Sequence, residues 1–117
     1  MKEIYEGEVW FVEFPFDDDP TKFSNRPVVV LDTDNLNVLS VKVTKHDARE
    51  EDDYDTPVIY WKEAKLHFAS TARISKVINL NRNNFIHKIG DLDKKDLDKI
   101  ADAYICFMDG VKNQNKK

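Results

Sequence analysis

Apolar and polar positions follow short, strand-like patterns through most of the chain and change to helical spacing only near its end. The pattern is clearest from Arg26 to Thr44. Val28–Leu31 is a continuous, largely β-branched apolar run, which predicts a strand buried on both faces. Thr33-Asp34-Asn35 supplies turn residues. In the return strand, Val38 to Thr44, the apolar Leu39, Val41 and Val43 alternate with Ser40, Lys42 and Thr44, the period of a half-buried strand. An antiparallel pair of these segments brings Arg26, just before the first, and Thr44, at the end of the second, to one end of the sheet.

Other strands flank this hairpin. Val9 to Phe14 is dense in β-branched and aromatic residues and is closed by Pro15, which has no N–H for a ladder. Phe16 to Asn25 is a polar loop with a turn signal at Asp17-Asp18-Asp19-Pro20 and donors at Lys22, Ser24 and Asn25. Thr56 to Trp61 predicts a short strand, with Tyr60 and Trp61 placed in the core, and Lys62–Lys65 a polar turn. Phe68 to Leu80 predicts one long or two short strands. Asn81 to Asn84 breaks that run, and Phe85 to Ile89 forms a last strand ended by Gly90. Asp93 then fits a helix N-cap, with Asp96 complementing the macrodipole in the first turn. Leu97, Ile100, Ala101, Tyr104, Ile105 and Met108 recur at helical spacing. The helix is expected over Lys94 to Asp109, with Gly110 as its C-terminal cap. The fold class is mainly β (α+β): a small, bent antiparallel sheet or barrel closed by a C-terminal helix.

With 117 residues, 41% of them hydrophobic and 34% charged, the chain reads as one globular domain, residues 1–112, with a polar tail at 113–117. No apolar run approaches the roughly 20 residues of a membrane span, and no signal-peptide core precedes the first strand, so a cytoplasmic protein is expected. The single cysteine, Cys106, excludes an internal disulfide and a cysteine zinc cluster, and is expected to be a buried thiol. The net charge is −4, yet Asp47 to Asp55 alone carries −5. That segment reads as a solvated loop, and its carboxylates lack calcium-loop spacing. The rest of the chain is close to neutral, so overall charge does not decide the partner.

No Gly-rich phosphate loop, HExxH or nucleophile elbow is present. His46, His67 and His87 lie too far apart in sequence to mark a metal site. Of the three, His46 stands out, because it follows Thr44 by two residues and shares its face if the strand continues.

Four segments carry a family resemblance: Gly7-Glu8-Val9-Trp10-Phe11-Val12-Glu13-Phe14, Asn25-Arg26-Pro27-Val28-Val29-Val30-Leu31, Val43-Thr44, and Ser70 to Leu80 followed by Lys88-Ile89-Gly90-Asp91-Leu92. Together the chain resembles a MazF/PemK-like toxin of a type II toxin–antitoxin system. The resemblance implies an SH3-like, CcdB-like barrel that forms a homodimer. It also implies a metal-independent endoribonuclease, without cofactor, that cuts single-stranded RNA at short sequences and is blocked by a cognate antitoxin. The family's arginine falls on Arg26 and its threonine on Thr44, as the catalytic pair. Lys22, Ser24, Asn25, Lys45, His46, Arg73 and Ser75 are the expected substrate-binding positions. Arg73-Ile74-Ser75 aligns with an Arg-x-Asp pair, so serine stands where some members have a carboxylate. The aspartates of the first loop also depart from the common glycine-rich form, and a surface ion pair between one of them and Arg26 is the bland reading of that arginine. Two other functions fit the same fold: a toxin that poisons a topoisomerase, and a non-catalytic RNA- or protein-binding module.

Overall fold

The structure is a computed structural model that describes residues 3–16 and 18–115. Six strands and one helix follow in chain order: β1 (Glu8–Pro15), β2 (Phe23–Thr33), β3 (Asn37–Thr44), β4 (Asp55–Val58), β5 (Ser70–Asn81), β6 (Phe85–Asp91) and α1 (Lys94–Asn115). The strands form one antiparallel sheet in the order β4-β5-β3-β2-β1-β6. The expected mainly β class with a C-terminal helix is what the chain adopts.

The β2–β3 hairpin sits mid-sheet, and its apolar run explains why. Val28, Val29 and Val30 are all fully buried. Val29 joins a core with Val9, Val41, Val43, Ile74 and Ile100, on the side covered by α1. Val28 and Val30 join a second core with Trp10, Val12, Phe14 and Phe85 on the other side. Each such side chain contributes about 1.5–3 kcal/mol on burial. The turn lies at Asp34–Leu36, where the Asp34 carboxylate accepts the N–H groups of Leu36 at 2.8 Å and Asn37 at 2.7 Å.

Several boundaries differ from the sequence expectation. The first loop is shorter, because β2 already begins at Phe23 and pairs with Pro15. Asp17 of its turn signal lies outside the described residues. On β3, Ser40 and Thr44 are buried rather than solvent-facing; register shifts at Val30/Asp32 and at Ser40/Lys42 break strict alternation, and the Ser40 hydroxyl donates to the Val38 carbonyl at 2.9 Å. β4 ends at Val58, and residues 59–65 turn back over the sheet. In that turn Trp61 packs half-buried on the helix-side core, and the supposedly polar stretch buries Ala64. β5 is one long strand. Gly90 lies inside β6, where a Cβ would stand 2.3 Å from the Ala64 carbonyl oxygen.

Asp93 caps α1 as expected, its carboxylate accepting the Lys95 N–H at 2.8 Å. Asp96 does more than complement the dipole. It is almost fully buried and accepts the N–H groups of Ile59 at 3.0 Å and Tyr60 at 2.8 Å, tying the helix to the turn after β4. Ile100 and Tyr104 of the predicted stripe pack on the core, joined by Ala103 and Phe107, which the spacing did not single out, while Ile105 is exposed. Cys106, beside it, is exposed too. The helix runs through Gly110 instead of stopping there.

Candidate functional site

Beyond the helix-side core, the same sheet face continues as the floor of an open cleft of about 750 Å³. A row of residues on four adjacent strands forms this floor. Phe11 of β1 pairs with Pro27 of β2 on one side and with His87 of β6 on the other. Val43 of β3 adjoins Lys42, the partner of Val28, and so comes next to Pro27. The His87 ring stacks on Phe11, with centroids 5.3 Å apart and planes at 28°. Leu66, His67 and Phe68, from the connection that leads into β5, form a wall.

Arg26 and Thr44 both line this cleft. Continuing the β2–β3 register from Val28↔Lys42 by two residues sets them opposite each other. Arg26 is half-buried, and its Nε donates to the Ser24 hydroxyl at 3.2 Å. Among the described residues it has no carboxylate partner, and Asp19 is engaged by Thr21. The Arg26 guanidinium thus keeps donors for a ligand. Thr44 is nearly buried, and its Oγ1 accepts the His46 N–H at 3.4 Å. This contact folds the chain after β3 back toward the cleft, which His46 and Lys45 also line.

The lining carries Arg26, Lys45, Lys65 and Lys88 and no carboxylate, in a protein of net charge −4. These cations are not equivalent. Lys88 Nζ is held by Glu8 at 2.7 Å and Asp91 at 3.0 Å. Burial pushes the Glu8 carboxyl up, but hydrogen bonds from Lys88, Trp10 and the Tyr5 N–H outweigh burial and hold it below the usual carboxylate range. The Lys88 ammonium is raised in turn, first by its hydrogen bond to Glu8. Lys88 is therefore largely neutralised, and the positive field of the cleft rests on Arg26, Lys45 and Lys65.

Of the sequence-predicted site residues, the cleft brings together Arg26, Thr44, Asn25, Lys45 and His46. Lys22, Ser24, Arg73 and Ser75 are not in its lining. Ser24 touches the site through its bond to Arg26. Arg73 and Ser75 meet the acidic segment instead. Ser75 Oγ donates to Asp52 at 2.6 Å, and Arg73 sits across the β4–β5 ladder from Asp55. That segment is not a simple solvated loop. Arg49 binds Asp52 at 2.8 Å and Asp55 at 2.9 Å, and the Asp55 side chain is fully buried. Burial raises the Asp55 carboxyl, but the bonds from Arg49 outweigh it and leave the carboxyl below its ordinary value.

Sequence reasoning missed that all three histidines line one cleft, because they come from three separate segments: the chain after β3, the connection into β5, and β6. No group of three or more metal-ligating side chains able to hold an ion occurs among the described residues. The cleft offers donors, cations, imidazoles and aromatic faces. It suits an anionic ligand with flat apolar parts.

Two solved structures share this architecture. An endoribonuclease in complex with its cognate antitoxin, from a mycobacterial species, superposes with a TM-score of 0.64 at 11% identity, over 88% of this chain and 90% of that one. The Mycobacterium tuberculosis toxin MazF-mt6 superposes with a TM-score of 0.65 at 18% identity, over 87% of this chain and 96% of that one. At such identities the likeness shows the fold. No curated protein sequence matches significantly. The family model of PemK-like, MazF-like toxins matches residues 5–106, which takes in all six strands, the cleft and the first half of the helix. The chain belongs to that family of type II toxin–antitoxin toxins.

Proposed function

We propose that this toxin is a metal-independent endoribonuclease that cuts single-stranded RNA, mRNA included, at short sequences in the cytoplasm. The observation that carries the reading is the acid-free, cation-lined cleft that both Arg26 and Thr44 line. RNA presents a phosphate and a neighbouring 2′-hydroxyl at every step. Attack of that hydroxyl oxygen on phosphorus forms a P–O bond, and the bond to the 5′-oxygen of the next nucleotide breaks. The products are a 2′,3′-cyclic phosphate and a 5′-hydroxyl. Negative charge gathers on the phosphate oxygens in between, so fixed donors aimed there lower the barrier. Arg26 supplies a planar, always-charged fork. Thr44 adds a hydroxyl donor. Arginine hardly deprotonates, so removal of the 2′-hydroxyl proton falls to an imidazole. His46, which lines the cleft and whose backbone N–H is bonded to Thr44, is the one we assign. The leaving oxygen takes its proton from solvent.

The partner reading follows the same line. One structural neighbour is a complex with its cognate antitoxin, and a cationic groove suits an acidic segment of such a partner that orders on binding. A homodimer is supported by the two sheet edges, β4 and β6, each of which pairs on one side only in this chain.

The test is incubation of the purified protein in EDTA with a mixed-sequence RNA and with DNA of the same sequence. Cuts in RNA alone, leaving cyclic phosphate ends, are expected. Cutting of the DNA, or cutting only when a divalent cation is restored, would contradict the proposal.

A further inference from the structure

We propose that the cleft holds a nucleobase between the Phe68 ring and the stacked Phe11–His87 pair, beside the phosphate that Arg26 and Thr44 grip. The inference rests on the RNA reading and deepens it. Phe68 is 61% exposed, which alone would mean little, since isolated apolar residues are common on surfaces. Its setting gives it meaning. The ring lines the same cleft as Phe11 and His87, so three flat side chains from three separate segments converge on one space. The backbone at Phe68 is pinned, and its ring has a cation beside it. Its carbonyl accepts the Ser70 hydroxyl at 2.7 Å, and Lys45 Nζ lies over its ring, 5.7 Å from the centroid.

The floor beneath, Pro27 and Val43, is apolar and offers a base no competing hydrogen bond. Unstacked RNA bases are taken up on aromatic faces, and every base has such a face. The Lys45 ammonium lies over the Phe68 ring, so a cation of the cleft stands against its aromatic wall. Stacking of this kind discriminates weakly among bases. The seat therefore fixes where the chain is gripped and leaves base identity to polar groups at the rim.

The probe is a fluorescent, mixed-sequence RNA oligonucleotide carrying 2′-O-methyl on every ribose, which cannot be cut, beside an abasic oligomer of the same length and charge. Binding is read by anisotropy for the wild type, Phe68→Ala, Phe68→Trp, His87→Ala and Arg26→Ala. Phe68 and His87 are exposed, so these variants keep the fold; urea midpoints within error of the wild type check this. Phe68→Ala and His87→Ala are each expected to weaken the base-bearing probe by about five- to a hundredfold, the scale of one lost base stack. They leave the abasic probe unchanged, and Phe68→Trp retains binding. Arg26→Ala weakens both probes. Equal weakening of both probes by Phe68→Ala, or no weakening of either, overturns the base seat while the RNA reading stands. Failure of the wild type to bind either probe overturns the RNA reading and the seat with it.

Discussion

Arg26 and Thr44 come from different strands yet line one cleft, each two residues beyond the Val28↔Lys42 pair that closes the β2–β3 ladder. The hairpin alone sets this relationship. Three fully buried valines on β2 lock its register against β3, and a one-residue slip would turn both cores inside out. A chemical pair is thus fixed by the most rigid part of the sheet, as positioning for catalysis requires. Arg73, by contrast, stands on β5 two residues from Thr71, the partner of Thr44, and is the partner of Asp55 across the β4–β5 ladder. There Asp52 and Asp55 of the acidic segment bring carboxylates to the Arg73–Ser75 stretch, which lacks one of its own.

Asp96 joins helix to sheet. Replacing it with alanine leaves the part-buried Ile59 and Tyr60 N–H groups without their acceptor and empties the buried space of the carboxylate. A loss of about 2–5 kcal/mol is expected, since each orphaned donor costs about 1–3 kcal/mol. Asp96→Asn should lose less, because its amide oxygen still accepts. Urea unfolding of both variants beside the wild type measures the difference.

Gly90 has a steric reason to be glycine. A Cβ there meets the backbone carbonyl of Ala64, which cannot swing aside as a side chain would. Gly90→Ala should destabilise by about 1–3 kcal/mol, the usual range for overpacking. Because Ile89 and Lys88 adjoin it in the cleft wall, RNA cutting by the folded fraction should fall as well. A variant with wild-type stability and activity would remove this account of β6.

Two buried carboxylates shape the acid limb. Glu8 and Asp55 both titrate below their ordinary values of 4.5 and 3.8. In that window the unfolded chain binds more protons than the folded one. Their stabilisation is therefore complete above the ordinary values and is lost as pH falls through the lower, folded ones. Unfolding midpoints should drop steeply below about pH 4.5. Glu8→Gln and Asp55→Asn should each be less stable than the wild type at pH 7 and show a shallower drop. Equal slopes in all three proteins would mean that neither carboxylate controls acid unfolding.

Much of this was legible in local pattern. The apolar run at Val28, the Asp93 cap and the meeting of Arg26 with Thr44 each depend on residues near in sequence or joined by one hairpin. What escaped depends on distant contacts. Ser40 is buried because bulges on both sides of β3 interrupt its alternation. Gly110 looks like a helix stop, but the helix passes through it beside Tyr54, whose hydroxyl lies 3.2 Å from where a Cβ would be and whose ring meets Phe107 edge-on at 5.2 Å. The acidic segment reads as solvated because nothing in its composition shows that Arg49 gathers Asp52 and Asp55. His67 and His87 join His46 in lining the cleft only when β6 is placed at the sheet edge and the connection into β5 packs beside it.

The most direct test of the central claim is RNA cleavage in EDTA by the wild type, Arg26→Ala and Thr44→Val, with folding checked by circular dichroism. The wild type should cut at a few short sites. Each variant should cut more slowly by about a hundred- to a thousandfold, the usual effect of removing one transition-state donor, with stability changed little. Cutting by folded Arg26→Ala at the wild-type rate would contradict it.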